Sequence, residues 1–128
     1  SMFNVGNKYI VILQRIGTYT EIIWRGKIKG EKKMFNSKYF KLGRQVASQK
    51  VSIELMENKQ FATEIFHAMK RYCNKDWGIL SDGDKEMNEQ ALQDEDRLMG
   101  AYMTCKGKIW IITEWDRSST IILFPDEY

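Results

Sequence analysis

Glu114, Asp116 and Arg117 stand together where one predicted strand ends, and Asp126 and Glu127 stand where the next one ends. Carboxylates grouped this way have the oxygen donors a divalent cation takes and the proton affinity that acid–base work uses. Each also has a plainer occupation. In Asp116-Arg117-Ser118-Ser119 the aspartate can accept its neighbours' amides and close a turn, leaving Arg117 exposed and the terminal acids solvated. The turn reading is preferred, so no metal site and no catalytic residue is assigned. Ser118 and Ser119 have no recognisable His/Asp companions and are not read as nucleophiles. His67 is the one histidine, and a lone histidine without a second ligand does not make a zinc site.

Two other groups have chemistry of the binding kind. Trp77, within Asp76-Trp77-Gly78, is either a core plug under a turn or a stacking platform, and the plug is preferred. With Trp115, Asp116 and Arg117 it forms the candidate set for protein contact. The second group is basic. Arg25–Lys50 carries nine Lys/Arg interleaved with Phe35, Tyr39 and Phe40, a composition that can neutralise phosphates and stack bases. Its candidate contacts are Lys32, Lys33, Lys38, Lys41 and Arg44. No Walker loop, GxGxxG, helix-turn-helix or zinc-finger pattern accompanies either group, and no cofactor is implied.

The charge distribution is polar. Residues 1–50 hold eleven Lys/Arg against two acids, whereas residues 51–128 hold nine against fifteen, within a net +3. Such halves can neutralise each other within one chain or across a two-fold, or meet partners of opposite sign. Four Trp, six Tyr and six Phe in 128 residues is globular composition, enough for one domain over 1–128. The absence of any 18-residue apolar run predicts no membrane span. Cys73 and Cys105, without metal or redox spacing, predict reduced thiols and a cytoplasmic setting.

The elements that must position these residues follow from periodicity. Lys8–Ile16 and Tyr19–Ile28 alternate as a hairpin with Gly17-Thr18 at its turn. Lys29–Lys41 has no period and reads as an exposed basic connector. Leu42–Ser48 predicts a short strand leading to a cap at Ser48, with a short helix over 50–57. The best helix follows: Phe61, Ile65, Phe66, Met69, Tyr72 and Cys73 recur at helical spacing. A weaker helix over 82–93 starts at Ser81 and ends on Asp94-Glu95-Asp96, with carboxylates at the unfavourable pole of its dipole, which predicts fraying. Arg97–Thr104, Lys108–Trp115 and Thr120–Phe124 make a three-stranded antiparallel meander stopped by Pro125. The middle strand is apolar on both faces, so it is expected to be covered on both sides, with Trp110 deeply buried. The fold class is therefore α+β: an N-terminal β-hairpin, two to three short helices and a C-terminal meander.

Residues 42–128 carry further specific strings: Leu42-Gly43-Arg44-x-Val46-Ala47-Ser48, Asp76-Trp77-Gly78, Asp84-Lys85-x-x-Asn88, Arg97-Leu98-x-x-Ala101-Tyr102 and KIWIITExDRSxTxLFPDEY. In these the chain resembles a family of short proteins from bacterial plasmids, conjugative elements and phages. Ile79 and Trp115 depart from that pattern, which favours an acid at the first position and a small residue at the second. The resemblance implies a mobile-element origin and a small α+β core over 42–128, with residues 1–33 as a hairpin extension outside it. It implies no catalytic residue. Met34, preceded by Lys29-Gly30-Glu31-Lys32-Lys33, is an alternative start, against which the strand-like alternation of residues 8–28 argues.

The expected function is a non-enzymatic protein-binding accessory module, by analogy an inhibitor of a host or rival defence system of the anti-CRISPR or anti-restriction type. A homodimer is expected, because two-sided apolar strands need more cover than two modest helices offer. A nucleic-acid-binding accessory protein using the basic half is the alternative. A small nucleotide-binding protein or hydrolase is third.

Overall fold

The computed structural model describes residues 1–27 and 35–128. Seven strands form one mixed sheet: β1 (Met2–Val5), β2 (Tyr9–Ile16), β3 (Tyr19–Gly26), β4 (Arg44–Ala47), β5 (Leu98–Thr104), β6 (Gly107–Thr113) and β7 (Ser119–Leu123). Their order across the sheet is β1-β2-β3-β4-β7-β6-β5. Three helices, α1 (Gln49–Glu57), α2 (Lys59–Cys73) and α3 (Asp82–Asp94), lie in sequence between β4 and β5. A 3-10 turn, Pro125–Glu127, follows β7.

The expected hairpin and meander are both present, but they are parts of a larger sheet. β2 and β3 pair in register from Tyr9↔Gly26 to Ile16↔Tyr19, and Gly17 adopts φ +61° at the turn, the left-handed backbone its first central residue needs. β1 adds a further strand to β2. β4 joins the two halves, antiparallel to β3 through Thr20↔Ala47 and parallel to β7 through Val46↔Ile121. Residues 1–26 thereby share a core with the rest, since Val11, Leu13, Ile22 and Trp24 are all buried.

Helices α1 and α2 cover one face. Ser48 caps α1 by accepting from Val51 N–H, and Asn58 caps α2 by accepting from Phe61 N–H. The apolar stripe of α2 then meets the sheet residues that point to this side, odd-numbered in β2 and β6 and even-numbered in β3. Phe66 stacks on Tyr9 at 4.9 Å, and Tyr72 reaches Thr113. Burying a side chain of this size is worth about 2–3 kcal/mol. The aromatic cluster extends into what the sequence reads as an exposed connector. Phe35 packs edge-on against Trp24, and Phe40 against Tyr72, so both are core residues; only Tyr39 of that trio is exposed. Aromatic spacing alone cannot tell a basic surface strip from a strap whose every few residues plug the core.

The strings around Gly43 and Gly78 act as joints. Gly43 has φ +65°, and a β-carbon there would lie 2.3 Å from Ser118 O, where the strap crosses the β6–β7 turn. Gly78 has φ +79°, and a β-carbon would meet Ala101 O at 1.9 Å. That close approach lets residues 77–79 seal the β5 edge: Ala101 N–H donates to Trp77 O and Ile79 N–H to Ala101 O. One residue pair along the same edge, Asn88 donates to Met99 O at 2.7 Å and accepts from Met99 N–H at 3.0 Å. A sheet edge closed this way offers no template to another strand.

The end of α3 does not have the lone carboxylate pole that predicts fraying. Glu95 closes it in the left-handed conformation, φ 52°. The Arg117 guanidinium donates to Ala91 O, Asp96 O and Glu114 O, placing a cation where helix carbonyls converge.

Candidate interaction face

The opposite face of the sheet is built from even-numbered residues of β2, β4 and β6 and odd-numbered residues of β3, β5 and β7, set by register. Ile12 faces Ile23, Ile10 faces Arg25, Ile121 faces both Val46 and Ile112, Ile112 faces Met99, and Trp110 faces Leu123. Neither α1 nor α2 lies on this side, and α3 sits at the β5 rim, where its Asn88 holds Met99. Ile10, Ile12, Ile23, Ile121, Met99 and Trp110 are half-buried, and Met2 and Met103 at the two ends are 69% and 60% exposed. Val46, Ile112 and Leu123, between them on the same face, are buried. The result is an apolar surface running from β1 to β5.

β6 is buried on both sides at its centre, with Ile109, Ile111 and Thr113 on the α2 side and Ile112 on the other. The expectation that Trp110 is deeply buried is corrected. Trp110 is half-buried rather than deep, with the Tyr128 ring packed edge-on against it at 5.7 Å. Arg97 holds that ring from above, its guanidinium 5.3 Å from the Tyr128 centroid and donating to the Tyr128 hydroxyl. Trp, Tyr and Arg are the residue types that anchor protein interfaces, since each combines large apolar area with a polar handle.

Few charges interrupt the face. Glu21 and Arg44 neutralise each other across β3 and β4 at 3.3 Å, and Arg25 and Lys108 stand near its margins. Arg44 is thus occupied, which removes it from a free basic strip. Lys38 and Lys41 are exposed. The Lys38 and Lys75 ammonium groups flank the Tyr39 ring at 5.7 and 4.6 Å. Lys32 and Lys33 lie outside the described residues.

The sequence-selected candidates separate in space. Trp77 is 3% exposed, wedged against Tyr72 and Phe40, with its indole N–H donated to Glu89 at 2.9 Å; it is a core plug and no partner can reach its ring. Trp115 is 63% exposed at the start of the β6–β7 turn. Asp116 closes that turn by accepting from Ser118 N–H, and its bonds from Ser118 hold its carboxyl below the usual range. Arg117 is not freely exposed, being spent on the three carbonyls described above. Of the four, only Trp115 presents an apolar surface to solvent.

The acids also separate. Glu127 reaches Ser48, Asp126 pairs with Lys50 at 3.1 Å, and Asp116 stays in its turn. Among the described residues, no three His, Cys, Asp or Glu side chains are grouped to hold a metal ion. No helix among the described residues is long and apolar enough to cross a membrane.

Sequence reasoning missed the Arg97–Tyr128–Trp110 assembly and the continuity of the isoleucines across β2, β3 and β7. The signal was present as apolar alternation on both sides of β2 and β6. Only the β3–β4–β7 pairing makes those residues neighbours. The chain was compared with family models, with curated proteins and with solved structures, and it matches none of them.

Proposed function

We propose that this protein is a non-enzymatic docking module of a mobile genetic element, which binds a host or rival protein through the open sheet face and so inhibits a defence system of the anti-CRISPR or anti-restriction type. The observation that carries the docking role is the apolar face that α1 and α2 leave uncovered, with Ile23, Ile121 and Met99 half-exposed and Trp110, Tyr128 and Arg97 at one end. Contiguous apolar surface of this kind marks an interaction site in a soluble chain. The mobile-element assignment rests on the resemblance of residues 42–128, and the defence assignment on analogy with small accessory genes. When no partner is present, two copies cover the face for each other.

The test is an infection assay in cells that carry a restriction or CRISPR system. The wild-type chain should raise plating efficiency, and Ile23→Lys and Trp115→Ala should each lose most of that effect while remaining folded. Lys38→Ala/Lys41→Ala should retain it. Inhibition lost only in the lysine variant would defeat the docking reading.

One observation favours the nucleic-acid alternative: exposed Tyr39 flanked by Lys38 and Lys75 is a ring on which a base could stack beside two cations. Binding of a single-stranded oligonucleotide, lost in Tyr39→Ala and steeply weakened by salt, would promote it.

A further inference from the structure

A second concavity, of about 550 Å³, lies beyond the margin of the open face that Lys108 marks, between α1 and the strand ends at Lys108 and Phe124. That volume is in the range of small-molecule sites, roughly 300–1,000 Å³. Its floor is apolar. Phe124, fixed from behind by stacking on Phe61 at 5.9 Å, meets Pro125 and Ile53, and Ile53 is 40% exposed. Its rim is cationic on one side: Lys106 and Lys108, from the β5–β6 turn and the start of β6, have no carboxylate within 4 Å among the described residues. On the opposite side Lys50 is already paired with Asp126 at 3.1 Å, and Glu54 stands beside Ile53 on α1.

We infer that this pocket binds a small organic monocarboxylate with an aliphatic or aromatic body. The apolar floor takes the body, and the Lys106 and Lys108 ammonium groups take the carboxylate. Three lysines against two acids leave one net positive charge in the lining, which matches a monoanion. A dianionic phosphate ester would have to sit near Asp126 and Glu54, and it would find three point charges but no arginine fork to grip it. No step in the docking function uses these residues, so the pocket stands or falls independently of the open face.

The probe is 4-phenylbutyrate, titrated into the ¹⁵N-labelled full chain. Amide shifts should fall at Ile53, Lys106, Lys108 and Phe124 and saturate in the millimolar range. The neutral analogue 4-phenylbutan-1-ol should bind at least five-fold more weakly, and phenyl phosphate no better than the carboxylate. Lys106→Ala/Lys108→Ala, which alters two exposed side chains, should reduce carboxylate affinity to that of the alcohol and leave alcohol binding unchanged. Ile53→Glu should weaken both. Equal affinity for acid and alcohol, an unaffected lysine variant, tighter binding of phenyl phosphate, or shifts confined to Ile23, Ile121 and Trp110 would each overturn the assignment.

Discussion

The Glu127 carboxylate accepts the Ser48 hydroxyl at 2.5 Å, joining residues 79 apart in the chain. The same carboxylate accepts from Phe124 N–H at 2.9 Å and from Lys50 N–H, in the first turn of α1, at 3.3 Å. Ser48 is itself the α1 cap. The chain's acidic ending therefore acts as the counter-charge of a helix, at the pole where a negative group is stabilising.

Removing that carboxylate should matter more than removing its neighbour. Glu127→Ala should cost about 1–2 kcal/mol, through a lost cap interaction and an orphaned hydroxyl. Asp126→Ala should stay within about 0.5 kcal/mol, because its lysine pair is mostly solvated. Urea denaturation of both variants decides it. Equal losses would mean that the ending contributes only surface charge.

A buried hydroxyl chain should show direction. Thr120 donates to Leu42 O at 2.7 Å, and a hydroxyl has one proton, so Thr113 must donate to Thr120 at 2.8 Å and Tyr72 to Thr113 at 2.7 Å. Thr120→Val strands both the Leu42 carbonyl and the Thr113 proton and should cost about 2–4 kcal/mol. Tyr72→Phe strands only an acceptor lone pair and should cost about 1–2 kcal/mol. Burial also raises the Tyr72 hydroxyl pKa far above its usual range, so it remains a donor throughout the working pH range. A larger loss in the Phe variant would reverse the inferred direction.

Arg117 holds φ 59°, a conformation glycine adopts more readily. Arg117→Gly relieves that strain but removes every guanidinium bond to α3. Hydrogen exchange of Glu95 and Asp96, whose amides close the helix on Ala91 O, should quicken about ten-fold, equal to about 1.4 kcal/mol. Arg117→Lys, which keeps the charge without the fork, should fall between. Unchanged exchange in the glycine variant would show that the left-handed cap alone holds the helix end.

Acid sensitivity should be traceable in part to Asp76. Arg71 donates to it at 2.8 and 3.2 Å and holds its carboxyl below the usual range. A folded pKa below the unfolded value, which is near 4, stabilises the fold fully above that pH, and the contribution is lost as pH falls through the folded value. Both side chains are half exposed, so the term should be on the order of 0.5 kcal/mol. Asp76→Asn should flatten the dependence of Tm on pH below about pH 4. An unaltered acid limb would assign the sensitivity to other carboxylates.

Self-association should depend on the open face. Light scattering at about 100 µM should report a two-fold dimer for the wild type and a monomer for Ile121→Lys. A wild-type monomer at that concentration would reject mutual covering by two copies.

Local order was readable from the chain. Ser48 and Ser81 as caps, the Gly17 turn, the α2 stripe from Phe61 to Cys73 and the stop at Pro125 all depend on neighbours within a few residues, where propensity and spacing act directly. Apolar alternation on both sides of β2 and β6 likewise indicated strands with two faces to cover. What covers them was not readable. β4 pairs with β3 on one side and with β7, some seventy residues later, on the other, and nothing local specifies a parallel partner at that distance. That single pairing makes one sheet of two halves and brings Ile23 and Ile121 onto one surface. The fates of Trp77 and Trp110 were decided at the same level. A tryptophan's type gives its size, but whether Tyr72 and Phe40 enclose it or one terminal tyrosine caps it depends on which elements pack there. Tertiary packing also turned Arg117 from a solvated turn residue into the cation on α3, since a guanidinium can be spent on carbonyls that only the fold assembles.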